Sequence, residues 1–401
     1  MSRTLSQKAA VRKTGLIIAA CLASVPPFAV PIPASAAGIA PVLPAVDVPV
    51  NPPPNPPAAN PPVVPAVVAQ PAPGPPVMQK PLFDFKGDAT VWSVAISSDG
   101  KFIASGGGTG GMTGRFGKMV PGTAVIKAWD TATGAVVCSI ALGGHADPAD
   151  PKSVKPDLTV YAIAFSPDGR VLLTGHGDGS AKFWDPNAGT LLGSYSTRKQ
   201  PVYTVAYSPN GAQYLTAGAD MAAQIWDIHT GQLVHALTTD TKMAGAVLFT
   251  PDGTQVAAAT SGKTSGSIVI FDAQTGEQKR TIAVDGAIAA KLAFSSDGKI
   301  LAGGGRDGQV RIWDMQTGAL SRTFKAHPGK VTAIAFSLNV RTLATGGDDG
   351  KIKIWDAPTG TLIQTIDAHS STVSSLAISP DGGLLVSGSQ DKTIKLWKLK
   401  Q

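Results

Sequence analysis

Residues 81–401 are predicted to fold as an all-β ring of seven four-stranded antiparallel blades, and three observations lead there. Trp-Asp or a near relative recurs at Trp129-Asp130, Trp184-Asp185, Trp226-Asp227, Phe271-Asp272, Trp313-Asp314, Trp355-Asp356 and Trp397-Lys398, at spacings of 55, 42, 45, 42, 42 and 42 residues. Ahead of each stands an apolar alternation that runs into a turn, as in "VAISSDG", "IAFSPDG" and "VAYSPNG". After six of the seven comes a second turn of the "TATG" or "MQTG" kind. A period of about 40–45 residues with this marker signals a repeat that supplies four strands. One such sheet cannot bury both of its faces, whereas a closed ring of them can.

The chain does not begin with this pattern. Arg3, Lys8, Arg12 and Lys13 precede the apolar run "GLIIAACLASV" (15–25), and a Pro-broken stretch then ends in Ala34-Ser35-Ala36. That order of charge, apolar run and small residues predicts a signal peptide over 1–36 and an extracytoplasmic protein, secreted, periplasmic or held at the cell envelope. Ile18-Ala19-Ala20-Cys21 is similar to a bacterial lipoprotein box, so Cys21 is a candidate for lipidation, which would be the only membrane contact. The run is too short to span a bilayer. Residues 37–80 are predicted to be a disordered Pro-rich linker: 38–79 hold 15 prolines and one charge, Asp47. Such a segment favours extended polyproline conformation and reaches roughly 130 Å.

Within the repeats, Ser-Pro-Asp-Gly joins strands a and b, with Pro and Gly setting the turn, and Asp-x-x-Thr-Gly joins strands c and d. After Trp397 only "KLKQ" remains, so the last blade lacks its outer strand. "PLFDFKG" (81–87) is predicted to supply it, with Phe85 at the position of Ile366. Glu277 is the only glutamate, which disfavours helices built on Glu/Lys pairs. The net charge of +7 falls to +4 once residues 1–79 are set aside, a mildly basic solvated surface that does not indicate nucleic-acid binding. Cys138 is left alone once the leader is removed and is expected to pack as a small hydrophobe.

Together the repeats resemble the WD-repeat β-propeller family over the whole of 81–401. The resemblance implies a buried His, Ser/Thr, Asp and Trp network in individual blades. The matches are His327, Thr345, Asp349 and Trp355, and again His369, Ser387, Asp391 and Trp397. Blade 2 offers Thr174, Asp178 and Trp184, with His145 displaced by an insertion. Blade 4 has Ala258, Ser265 and Phe271 in place of the hydroxyl, Asp and Trp, with Asp240 where His would stand. Blades 3 and 5 have Arg198 and Asp285 at the His position. Blade 1 keeps Ser105 and Trp129 but has Thr123 and Asp88. Ser, His and Asp together invite comparison with a catalytic triad. A set that recurs blade after blade is better read as a structural device that gives each indole N–H a buried acceptor.

No catalytic residue, metal site or cofactor is predicted. "GGGTGG" (106–111) lies in a hairpin rather than between a strand and a helix, so it does not read as a dinucleotide loop. Length variation collects on one face, that of the d–a and b–c connections. The b–c loop of blade 1 (106–124) is about 14 residues longer than its equivalents, and the d–a loop into blade 2 (146–157) about 11. Long loops on a rigid scaffold commonly carry binding. The expected function is a non-enzymatic scaffold, a monomeric propeller that binds another protein through Arg115, Phe116, Lys118, Met119, Asp147, Asp150, Lys152 and Lys155. Two alternatives stand beside it: an enzyme or small-ligand binder using the central channel, and an intracellular scaffold with a disordered N-terminus. The first would need carboxylates, His or a metal around the axis, and none is evident in the repeats.

Overall fold

Each repeat folds into an antiparallel sheet whose strands follow one another in sequence, because tight turns leave no room for a crossover. The computed structural model describes residues 80–109, 111–112, 119–120, 124–143, 157–218, 223–239, 242–261, 266–284 and 289–399. All of them belong to one unit, Pro62–Gln401. The leader and linker expected over 1–80, Cys21 included, lie outside the described residues apart from Lys80.

Seven four-stranded sheets account for the described strands, apart from one short hairpin. Blade 6 shows the pattern: Val331–Phe336, Thr342–Gly347, Lys351–Asp356 and Thr361–Asp367, paired in that order. Its a–b turn is the exception among seven, with Val340 where the other blades have glycine. This turn is still tied by a side chain of its own, Asn339 accepting the Arg341 N–H at 2.9 Å, as the turns of the other blades are. In blade 1 the Ser97 hydroxyl donates to Asp99 at 2.6 Å, and Asp99 accepts the Lys101 N–H at 3.0 Å. At the c–d turn, Asp130 accepts from the Thr133 N–H and hydroxyl, both at 2.8 Å.

The seventh blade closes as expected. Phe83–Lys86 pairs with Thr393–Lys398, in the register Phe83 with Leu396 and Phe85 with Ile394. Ile366 pairs with Ile352, one repeat earlier, so Phe85 does stand where Ile366 stands. Phe85 lies 5.0 Å from Trp129 of blade 1, ring centre to ring centre, so the closing strand also cements the first blade to the last. Phe83 and Phe85 are half-buried, however, not fully enclosed.

What spaces the blades is a recurring size match. A glycine in strand b leaves room for a valine in strand a of the next blade. A Cβ on Gly106, Gly175, Gly304, Gly346 or Gly388 would lie 2.4–2.7 Å from a Cγ1 of Val160, Val202, Val331, Val373 or Val91. The last of these pairs joins blade 7 to blade 1, and the innermost strands touch their neighbours all the way round. Around these contacts the core divides into seven clusters, most of them shared between adjacent blades. Cys138 belongs to this packing: it is buried, its thiol is pushed up by burial, and a Cβ on Gly189 would meet its sulfur.

Candidate functional site

The residues that resemble a triad form closed chains of hydrogen bonds. In blade 6 the Trp355 Nε1–H donates to Thr345 Oγ1 at 2.9 Å, the Thr345 hydroxyl meets His327 Nε2 at 2.9 Å, and His327 Nδ1 meets Asp349 at 3.0 Å. Blade 7 repeats this with Trp397, Ser387, His369 and Asp391 at 2.9, 2.8 and 3.1 Å. A neutral imidazole carrying its proton on Nδ1 satisfies every step. Burial drives the His369 pKa down, which favours that neutral form. Asp391 and Asp349 stay low despite burial, because Thr393 and His327 respectively hydrogen-bond their carboxylates.

Ser387, His369 and Asp391 thus have the distances of a triad but not its accessibility. Ser387 is fully buried, and its oxygen already accepts the Trp397 indole N–H. A nucleophile must reach substrate, and this hydroxyl instead ties strand b to strand c and to the d–a connection.

Blade 2 differs from the sequence expectation. His145 lies outside the described residues, and the network uses His176, two residues beyond Thr174 on the same strand. The Trp184 Nε1–H donates to Thr174 Oγ1 at 2.9 Å, Thr174 meets His176 Nε2 at 2.8 Å, and His176 Nδ1 meets the Leu158 carbonyl at 3.0 Å. Asp178 instead accepts from Ser180 and from Lys182, the latter at 3.2 Å. The signal was present in "LLTGH", but a His inside strand b has no counterpart in the other blades.

Blade 3 shows a second solution. Arg198, at the expected His position, donates from Nη2 to Thr216 Oγ1 at 3.0 Å and to Gln224 Oε1 at 2.8 Å, and Trp226 Nε1–H reaches the same Thr216 oxygen at 3.0 Å. Blade 4 buries Ala258 and Phe271 at the hydroxyl and Trp positions, with Asp240 and Ser265 outside the described residues. Blade 5 pairs Arg311 with Asp307 at 2.7 Å, and Asp285 lies outside the described residues. In blade 1, Asp88 pairs with Lys127 at 2.7 Å, Ser105 and Trp129 are buried, and Thr123 is not described.

Among the residues expected to bind a partner, Arg115, Phe116, Lys118, Asp147, Asp150, Lys152 and Lys155 all lie outside the described residues. Met119 is in a short hairpin, Gly111–Met112 against Met119–Val120, that stands inside the blade 1 insertion. The insertions leave from the end of the blades where the b–c and d–a connections meet, between strand ends Gly108 and Ala124 and between Leu142 and Val160. The axis is better furnished than the repeats suggested. Trp92, Tyr161, Tyr203 and Lys291 line a cavity there.

The family comparison follows the blades. The model for the WD domain, G-beta repeat matches residues 79–112, 153–185, 318–356 and 360–398. Three of these stretches hold an outer strand of one blade followed by, or leading into, the inner strands of the next, and the first takes in the closing strand 83–86. A model for the eukaryotic translation initiation factor eIF2A matches residues 192–304, which run from the outer strand of blade 2 to the second strand of blade 5. The comparison with curated proteins gives no match. Four matched repeats within a ring of seven four-stranded blades place the chain in the WD-repeat β-propeller family.

Proposed function

We propose that this protein is an exported scaffold, a propeller carried on a Pro-rich tether, that captures a partner protein with the face bearing insertions 106–124 and 146–157. Propellers of this family serve as protein-interaction scaffolds. The observation that carries the reading is the distribution of sequence variation. The turns at the a–b and c–d end are short and tied to their own backbone, whereas the large additions fall at the opposite end on two neighbouring blades. The triad-like side chains are occupied inside the blades, which leaves the loops to make the functional difference. Arg115 and Phe116 supply a cation and an aromatic of the kind that dominate interfaces, and Asp147, Asp150, Lys152 and Lys155 supply a rim of mixed sign that steers association.

The test is capture from the native host by the full chain and by a variant with both insertions replaced by Asn-Gly turns. Loss of a specific partner, with the melting temperature kept, is the expected result. Equal capture by the folded, loop-replaced variant would move the site elsewhere. The mature protein should begin near Ala37 or at a lipidated Cys21; an intact Met1 or Ser2 would remove export from the reading.

A further inference from the structure

One register position recurs around the axis, on the innermost strand of each blade, opposite the small residue of strand b. Six of its occupants are Ser93, Ala162, Thr204, Lys291, Ala333 and Ser375. Five are small. The sixth is a lysine.

Lys291 is solvent-exposed, and desolvation by the protein around it still holds its ammonium below the ordinary lysine pKa. The two observations agree if the chain stands in the lumen of the ring, enclosed but wet. It makes no hydrogen bond or ion pair with any described residue. A partly desolvated cation with no carboxylate beside it favours an anion as its partner.

The walls of the same cavity add donors and flat apolar surface. Ser93 and Ser375 each accept a backbone N–H, from Ile163 at 3.2 Å and from Val94 at 3.1 Å. Each hydroxyl therefore keeps its own proton to give. Trp92, also in the lining, has an indole N–H with no partner. Trp92 lies 5.9 Å from Tyr161, and Tyr161 meets Tyr203 edge-on at 5.1 Å, so three rings stand together. No Asp or Glu lines the cavity among the described residues. The nearby Asp157 accepts the Tyr161 hydroxyl at 3.2 Å and stays outside the lining.

The volume is about 170 Å³. A cavity of roughly 150 Å³ holds one benzene. We propose that the axial cavity binds a small monocarboxylate with one aromatic ring, its carboxylate on Lys291 and its ring against Trp92, Tyr161 and Tyr203. The site is tested with a small probe and no partner, so it stands or falls independently of partner capture.

Benzoate is the probe. Calorimetry and saturation-transfer NMR on the full chain compare it with benzamide, which keeps the shape and loses the charge, and with inorganic phosphate, which keeps a charge and loses the ring. Benzoate should bind, and benzamide and phosphate should each bind at least about tenfold more weakly, since a charge-assisted contact and a buried ring each contribute that much. Lys291→Met should weaken benzoate by about tenfold or more, and Lys291→Arg should restore much of the loss. Absence of benzoate binding, equal binding of benzamide, or benzoate affinity unchanged in folded Lys291→Met would overturn the proposal. Phosphate binding as tightly as benzoate would overturn it as well, because the ring would then contribute nothing. The acid–amide comparison uses only the native protein, so it decides the matter even where Lys291→Met does not fold.

Discussion

Val340 occupies a backbone conformation that the other six blades give to glycine. Its φ is +61°, while Gly100, Gly169, Gly211, Gly253, Gly298 and Gly382 lie at +69° to +73° in the same turn. A β-branched residue in the left-handed region carries a steric cost of about 1–2 kcal/mol, offset in part by the greater unfolded-state freedom of glycine. Val340→Gly should therefore stabilise the protein by about 0.5–1 kcal/mol, read as a higher midpoint in urea. A lower midpoint would mean that the valine side chain gains more by packing than its backbone loses. His176 makes a prediction at the same scale. Burial, helped by the charge of Lys182, brings its pKa down from 6.5 to about 4. A histidine depressed in the folded state stabilises the fold above its unfolded pKa, and that contribution is lost as pH falls from 6.5 towards 4. The melting temperature should drop between pH 7 and pH 5, and His176→Gln should show a smaller drop over the same interval. An identical pH profile in the variant would remove His176 as a source of the acid sensitivity.

At the scale of elements, the closing strand matters most. It gives blade 7 its fourth strand and puts Phe83 and Phe85 into a cluster with Val91, Ile103, Trp129, Ile394 and Leu396. Both phenylalanines are half-buried, so each contributes less than the roughly 1.5–3 kcal/mol of a fully buried side chain. Backbone bonds add to this, among them Leu82 N–H to Leu396 O at 2.7 Å. Removal of 81–87 also bares the edge of Thr393–Lys398 to other chains. A chain beginning at Asp88 should melt lower and aggregate more than one beginning at Lys80, as seen by calorimetry and light scattering. Equal melting of the two would show that the ring does not depend on that strand. The networks act at this scale too. Blades 2, 3, 6 and 7 reach one result, a hydroxyl that accepts the indole N–H, through His176, Arg198, His327 and His369. The requirement is a hydroxyl oxygen held in place to accept the indole N–H, and more than one residue type meets it.

At the scale of the whole molecule, ring closure requires that seven interfaces agree in width. The glycine–valine pairs set that width at five of them. At the interface of blades 4 and 5 the two corresponding register positions are both alanine, Ala259 in strand b and Ala289 in strand a. Gly388→Ala should place a Cβ about 2.6 Å from Val91 and strain the joint where the ring closes. A loss of about 1–3 kcal/mol is expected. Val91→Ala in the same chain should recover part of it by reproducing the blade 4 to blade 5 pairing, and a denaturation series over the four proteins measures the coupling. Strict additivity would show that the two side chains do not meet.

The repeat, the number of blades, the strand that closes them and the turn chemistry were all legible in the sequence. Each depends on local patterns, Trp-Asp at a fixed period, Ser-x-Asp-Gly at a turn, Phe85 at the position of Ile366, and local patterns survive in one dimension. The networks of blades 6 and 7 were legible for the same reason. That of blade 2 was not, because His176 comes from inside a strand, and only the folded sheet sets its imidazole against Thr174 and the Leu158 carbonyl. The axial cavity was hidden for a stronger reason. Trp92, Tyr161 and Tyr203 hold one repeat position, the residue after the inner-strand valine in three successive blades, and Lys291 holds the next position in a fourth, but nothing in a single repeat shows that they meet. Closing the ring brings them to one cavity. The sequence by itself determined the period, and so the blade and its count; only the tertiary structure decided which side chains face one another across the axis, because that contact is made between repeats and no repeat encodes its neighbour.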